Sequence, residues 1–293
     1  MPERRVRSTY SQAPVQILLY DGGGIVSSGS GFFFTHRADR YLITNWHIVT
    51  GRNFFTRAVL DKVNARTPSW LEIKTSTWVD DVGIEPRRFG VSPKRLEIYG
   101  NSAAQTDRLW LEHPRLQCDV VAIRLPKPAD EPDLMHNSVN LISTMKIPVR
   151  PGGVAFVIGF PKNLSVGFGL PIWKSTFVAS EPFYDVVLGG ELHGFGGMKG
   201  GTRYPAFFLD GYTREGMSGS PVFAYFNGIW DMNNPYAEID VDAAGFWDRD
   251  DVALNASASE FIGIYSGRLP EQEAQAALGL CWRRELIDEI CAS

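Results

Sequence analysis

Short β-type runs recur along this chain, each closed off by glycine, proline or Asn/Asp. Val15-Gln16-Ile17-Leu18-Leu19-Tyr20 ends at Asp21-Gly22-Gly23-Gly24, where glycine lets the backbone turn sharply. Gly31 to Thr35 and Tyr41 to Thr44 flank a charged tip at His36 to Arg40. Leu71 to Val79 alternates apolar and polar residues as a half-buried strand does. Arg95 to Tyr99 does the same over a shorter span, and Val120 to Leu125 is an apolar run of buried-strand length. The string PKPADEP (126–132) is a proline-rich, charged connector. Beyond it come Val154 to Phe160, Ser175 to Ala179, Ala206 to Leu209, Pro221 to Phe226 and Phe261 to Tyr265. The acidic, Asn/Asp-rich residues 229–259 are expected to form an inserted surface loop. Helical patterning is confined to one turn at Trp46 to Thr50 and a terminal region over 273–278 and 281–290. There Trp282, Leu286 and Ile290 recur at i, i+4, i+8. Two clusters of short strands and one terminal helix predict an all-β chain of two antiparallel β-barrels, over residues 12–128 and 129–270, with a C-terminal α-helix in 271–293.

Composition narrows the functional classes. With 29 Lys and Arg against 33 Asp and Glu, the net charge is −4, so there is no basic footprint for nucleic acid. Three cysteines, Cys118, Cys281 and Cys291, form neither a CxxC nor a disulfide framework, which fits a reducing compartment. The five histidines show no HExxH or paired-ligand spacing, so no metal is expected. No cofactor motif stands out either: the Gly-rich string GGELHGFGGMKGG (189–201) lacks both GxGxxG and the P-loop Lys-Ser/Thr, and it is expected to be a flexible loop. No apolar run approaches a membrane span. The only apolar run near the N-terminus, Val15 to Tyr20, is too short for a secretory signal. A cytoplasmic location is therefore expected.

Chemistry enters with REGMSGSPVF (214–223). Small residues around Ser218 let backbone N–H groups approach a reacting atom, and they also suit an ordinary tight turn. A serine nucleophile needs a general base within hydrogen-bond reach, and that base needs a third group to fix its tautomer. His47 follows the strand Tyr41 to Thr44 in TNWHIV, and Asp119 opens the apolar run CDVVAIRL. A carboxylate at the mouth of an apolar strand needs a partner, and an imidazole N–H would supply one. Each residue also has a plain structural reading: Ser218 in a turn, His47 as a satisfied core histidine, Asp119 as a cap before its strand. His36, His113, His136 and His193 are expected on the surface or in loops, and Cys118 as a small buried hydrophobe.

The order His47, Asp119, Ser218, carried by GSGFFFT with LITNWHIV, CDVVAIRL, VAFVIGFP, and GMSGSPVF followed by FIGIYSG, resembles the chymotrypsin-like (trypsin-fold) serine proteases. The likeness spans roughly residues 12 to 291 and is nearest to bacterial trypsin-like peptidases, including the glutamyl-endopeptidase and HtrA-like branches. It implies that Ser218 attacks a scissile carbonyl, His47 shuttles the proton and Asp119 orients His47. It also implies an oxyanion hole from the N–H groups of Gly216 and Ser218, each donor worth roughly 3–4 kcal/mol in the transition state. Ser266 falls where the family keeps a serine near the aspartate, its carbonyl pairing with substrate backbone. Tyr212, Thr213, Tyr265, Gly267 and Arg268 would line the specificity pocket.

Departures from that pattern matter too. Met217 stands where digestive zymogens carry an aspartate that captures a new N-terminus, and Gly267-Arg268 replaces the usual Trp-Gly pair. A small or medium apolar P1 residue is expected, with an acidic one made possible by Arg268. The implied partner is a protein or peptide substrate, with no nucleic acid and no membrane. No PDZ-like module is expected, so recruitment would use the loops at 54–118 and 229–259 or a regulatory partner protein. An α/β-hydrolase is excluded because Ser220 breaks GxSxG and the order of the three residues is reversed.

Overall fold

Three consecutive phenylalanines, Phe32, Phe33 and Phe34, are all buried. Successive side chains of a strand point to opposite faces, so this strand must be covered on both. It is part of a seven-stranded antiparallel sheet ordered Arg88–Glu97, Trp70–Val79, Pro14–Asp21, Gly24–His36, Asp39–Thr44, Val121–Arg124, Trp110–Leu111. The computed structural model describes residues 8–79, 88–126, 138–143, 145–167, 169–188, 191–192, 198–199, 201–211, 214–268 and 278–293.

The second unit is a closed antiparallel barrel of six strands. Around it run Val154–Gly159, Ile172–Val178, Ala206–Asp210, Leu278–Arg283, Val252–Arg268 and Pro221–Asp231, which pairs back to the first. Closure leaves no unpaired edge. The barrel interior holds Val157, Phe207, Met217, Val222, Trp230, Tyr265 and Cys281. Between the units Phe32 meets Phe261 edge-on at 5.3 Å, and Phe261 packs on Phe223 at 5.8 Å. One apolar cluster therefore runs from the first sheet across the junction. The two antiparallel β units and terminal helix expected from the sequence are present.

Some details differ from the sequence reading. Cys281 to Arg283 is not helical: Leu278–Arg283 is a barrel strand, with Trp282 paired to Ala206 and Ile264. The segment 271–293 is thus part barrel, and its helix is Glu285–Cys291. Trp282, Leu286 and Ile290 are all buried in one cluster, so the apolar spacing reports a shared core across a strand-to-helix boundary. The hairpin Pro221–Asp231 with Val252–Arg268 extends into the expected surface loop at both ends, leaving 232–251 outside its strands. A short helix at Val139–Ile142 carried no sequence signal.

Helix Glu285–Cys291 returns to the first unit. The Tyr41 hydroxyl donates to the Cys291 carbonyl at 3.4 Å, and His113 Nε2 lies 2.9 Å from Glu289 Oε2. His113 lies in a loop, as expected, but is buried there, its Nδ1 accepting the N–H groups of Arg115 and Leu116. His36 is half-buried near Asp288, and His136 and His193 lie outside the described residues. So does most of the Gly-rich string; its described part pairs Glu191 with Lys199 and Leu192 with Met198. Among the described residues no helix is long and apolar enough to cross a membrane.

Candidate active site

The turn of helix Trp46–Thr50 starts at Asn45, whose extended backbone (φ −83°, ψ 150°) is that of a cap residue, and ends at Gly51 in the left-handed region. Asn45 points inward rather than capping: its Nδ2 donates to the Asp119 carbonyl at 2.7 Å. This bond ties the His47 turn to the residues just before strand Val121–Arg124.

Asp119 is 1% exposed, and a buried carboxylate is costly unless donors surround it. Three do. Oδ1 accepts the His47 backbone N–H at 2.8 Å, Oδ2 faces His47 Nδ1 at 2.7 Å, and the Ser266 hydroxyl donates to the same Oδ2. A carboxylate facing Nδ1 holds the proton there and leaves Nε2 as the basic nitrogen. Ser218 adjoins this group through Ser266: its Oγ donates to the Ser266 carbonyl at 3.0 Å. Among the described residues no hydrogen bond joins Ser218 to His47. Ser266 thus meets Asp119 with its hydroxyl and Ser218 with its carbonyl, the group the family resemblance assigns to substrate backbone.

The loop around Ser218 is set by two glycines. Gly216 has φ 89° and Gly219 φ 85°. A Cβ on Gly219 would lie 1.9 Å from the Ser30 carbonyl, and one on Gly216 would lie 2.4 Å from that of Phe160. Ser30, between two glycines of the first sheet, is built into the same place. Its N–H donates to the Ser218 carbonyl at 2.9 Å and its hydroxyl to the Gly216 carbonyl at 2.7 Å. The Thr44 hydroxyl in turn donates to the Ser30 carbonyl. Among the described residues the N–H groups of Gly216 and Ser218 carry no hydrogen bond.

Met217 is fully buried in the barrel core, where an aspartate would need a buried counter-charge. Tyr265 is 1% exposed, and its ring lies so close to Gly279 that a Cβ there would meet Cε2 at 2.5 Å. Gly267, at φ 131°, lies beside Ser218: a Cβ on it would be 3.5 Å from Oγ. Arg268 ends its strand opposite Gly279. Tyr212 and Thr213 lie outside the described residues.

Sequence reasoning missed Ser30, Thr44, Asn45 and, on the loop after Val154–Gly159, Asn163. Their signal is a polar residue at the end of, or inside, an apolar strand (GSGFFF, LITN, GFPKN). The cysteines offer no competing nucleophile: burial pushes the Cys118 and Cys291 thiols up to about 12 and raises Cys281 as well, so each stays a thiol at neutral pH. No group of three or more His, Cys, Asp and Glu among the described residues could hold a metal ion.

No protein-family model matches the chain, and no curated protein matches it in sequence. Solved structures do. The active form of a Mycobacterium tuberculosis protease is 13% identical, with 97% of this chain and 81% of that one covered at a TM-score of 0.45. A thermostable serine protease from an extremophilic microorganism is 11% identical, with 98% and 99% covered at 0.43. A serine endoprotease from Yersinia pestis is 12% identical, with 98% and 67% covered at 0.42. The chain is thus similar to serine proteases of known structure over nearly all its length.

Proposed function

We propose that the protein is a serine endopeptidase working through an acyl-enzyme. Ser218 Oγ attacks the scissile carbonyl while His47 Nε2 takes its proton. Asp119 stabilises the resulting imidazolium, and the N–H groups of Gly216 and Ser218 receive the oxyanion. His47 then protonates the leaving amine, and water repeats the sequence on the acyl ester. The observation that carries this reading is the buried Asp119 carboxylate 2.7 Å from His47 Nδ1, joined by Ser266 to the Ser218 hydroxyl.

A second reading also has an observation behind it. Ser218 donates to Ser266 and not to His47, as it would in a trypsin-fold scaffold that is silent or awaits activation by a partner. A fluorophosphonate probe separates the two: wild-type protein should label and Ser218→Ala should not. Absence of labelling in the wild type favours the scaffold.

The wholly buried Tyr265 ring beside Gly279 supports a shallow pocket and a small or medium apolar P1 residue. Peptide-library profiling should return that preference, and a clear Arg or Lys preference would overturn it.

A further inference from the structure

Lys162 and Asn163 both stand in the left-handed region, at φ 49° and 63°, where side chains are disfavoured unless the surroundings impose it. The surroundings here come from the other unit. Gln16, 5% exposed on strand Pro14–Asp21, donates from Nε2 to the Asn163 carbonyl at 3.0 Å and to the Asn163 side-chain oxygen. The turn is closed by the Asn163 N–H on the Phe160 carbonyl at 3.1 Å. The turn's other amide, the Lys162 N–H, donates to the Glu215 carbonyl at 2.6 Å.

A trans peptide is planar, with its carbonyl and N–H on opposite sides. Fixing the Glu215 carbonyl against Lys162 therefore turns the Gly216 N–H away from the 160–163 turn. The next peptide is fixed as well. The Gly216 carbonyl accepts from Ser30 Oγ at 2.7 Å, and that same oxygen accepts the Phe160 N–H at 3.1 Å. Both peptide planes around Gly216 are thus held, and its N–H has no hydrogen bond among the described residues.

We infer that Gln16 and Asn163 are positioning residues, which through Lys162 hold the Glu215–Gly216 peptide with its N–H presented to the oxyanion before substrate arrives. The inference rests on the Ser218 reading, since only an acyl-transfer site needs that N–H. Gln16→Glu keeps the shape and removes both donated bonds. It should lower kcat on a peptide amide about 10- to 100-fold, short of the roughly 100- to 1000-fold for an oxyanion donor lost outright, with KM within about twofold. The thermal midpoint should fall as well, because the new carboxylate is buried against two acceptor oxygens, so kcat is read well below it. Asn163→Leu should show a similar loss, and Asn163→Asp, which keeps the acceptor oxygen, should recover most of it.

Wild-type kcat in Gln16→Glu would overturn the inference. So would a loss of kcat that tracks the thermal midpoint and is equal in Asn163→Leu and Asn163→Asp. If the wild type neither labels nor cleaves, the Ser218 reading fails on its own. The hold is then decided by the Gly216 amide nitrogen resonance: a displacement in Gln16→Glu supports it, and an unmoved resonance overturns it.

Discussion

Gly219 is the residue on which the Ser218 loop most depends. Its left-handed backbone would strain any other residue by about 1–3 kcal/mol, and a Cβ would also drive into the Ser30 carbonyl 1.9 Å away. Gly219→Ala should therefore destabilise the protein by at least that strain in denaturant unfolding, and should abolish fluorophosphonate labelling. Unchanged stability would mean that the loop has another conformation open to it. At this scale the candidate site was legible wherever its signal was local. GMSGSP carries the glycines its own turn needs, and Asp119 announces itself as a charge at the head of an apolar strand. Ser30, Gln16 and Asn163 were not legible, because their partners are set by how the two units meet. Ser266 was legible in place only, since nothing local tells which of its oxygens faces Asp119.

At the scale of elements, strands showed through wherever one face is wet, as alternation in Leu71 to Lys74, or both are dry, as the apolar runs at 32–34 and 121–123. The reading failed at strand Leu278–Arg283. Its Trp282 shares a core with Leu286 and Ile290, and a helical period was extended one turn too far. Closure of the barrel decides otherwise, because the backbone groups of Ala206–Asp210 and Val252–Arg268 need a partner strand between them. The burial of His113 in its loop was not legible for a related reason. Its burial depends on helix Glu285–Cys291 crossing back to the first unit, which brings Glu289 to its Nε2. The side-chain hydrogen bond from His113 is the foremost cause holding the Glu289 carboxyl below its usual range.

At the scale of the whole molecule, no single unit carries the candidate site. His47 and Asp119 stand on the connections of the first unit, and Ser218 on the loop before barrel strand Pro221–Asp231. Ser30, Gln16 and the Phe32–Phe261 contact cross between them. The closed barrel also fixes when the site can be assembled. Strand Leu278–Arg283 is the last of the six to be synthesised and sits between Ala206–Asp210 and Val252–Arg268. The nascent chain emerges N-terminus first, so Ser218 leaves the ribosome well before the wall that completes its barrel. A chain stopped before Leu278 should not label with the fluorophosphonate and should lose cooperative unfolding; full labelling would show that the barrel forms without this strand. On the peptidase reading proposed above, the closing strand acts as a timer that arms Ser218 only after the other five strands of its barrel have emerged.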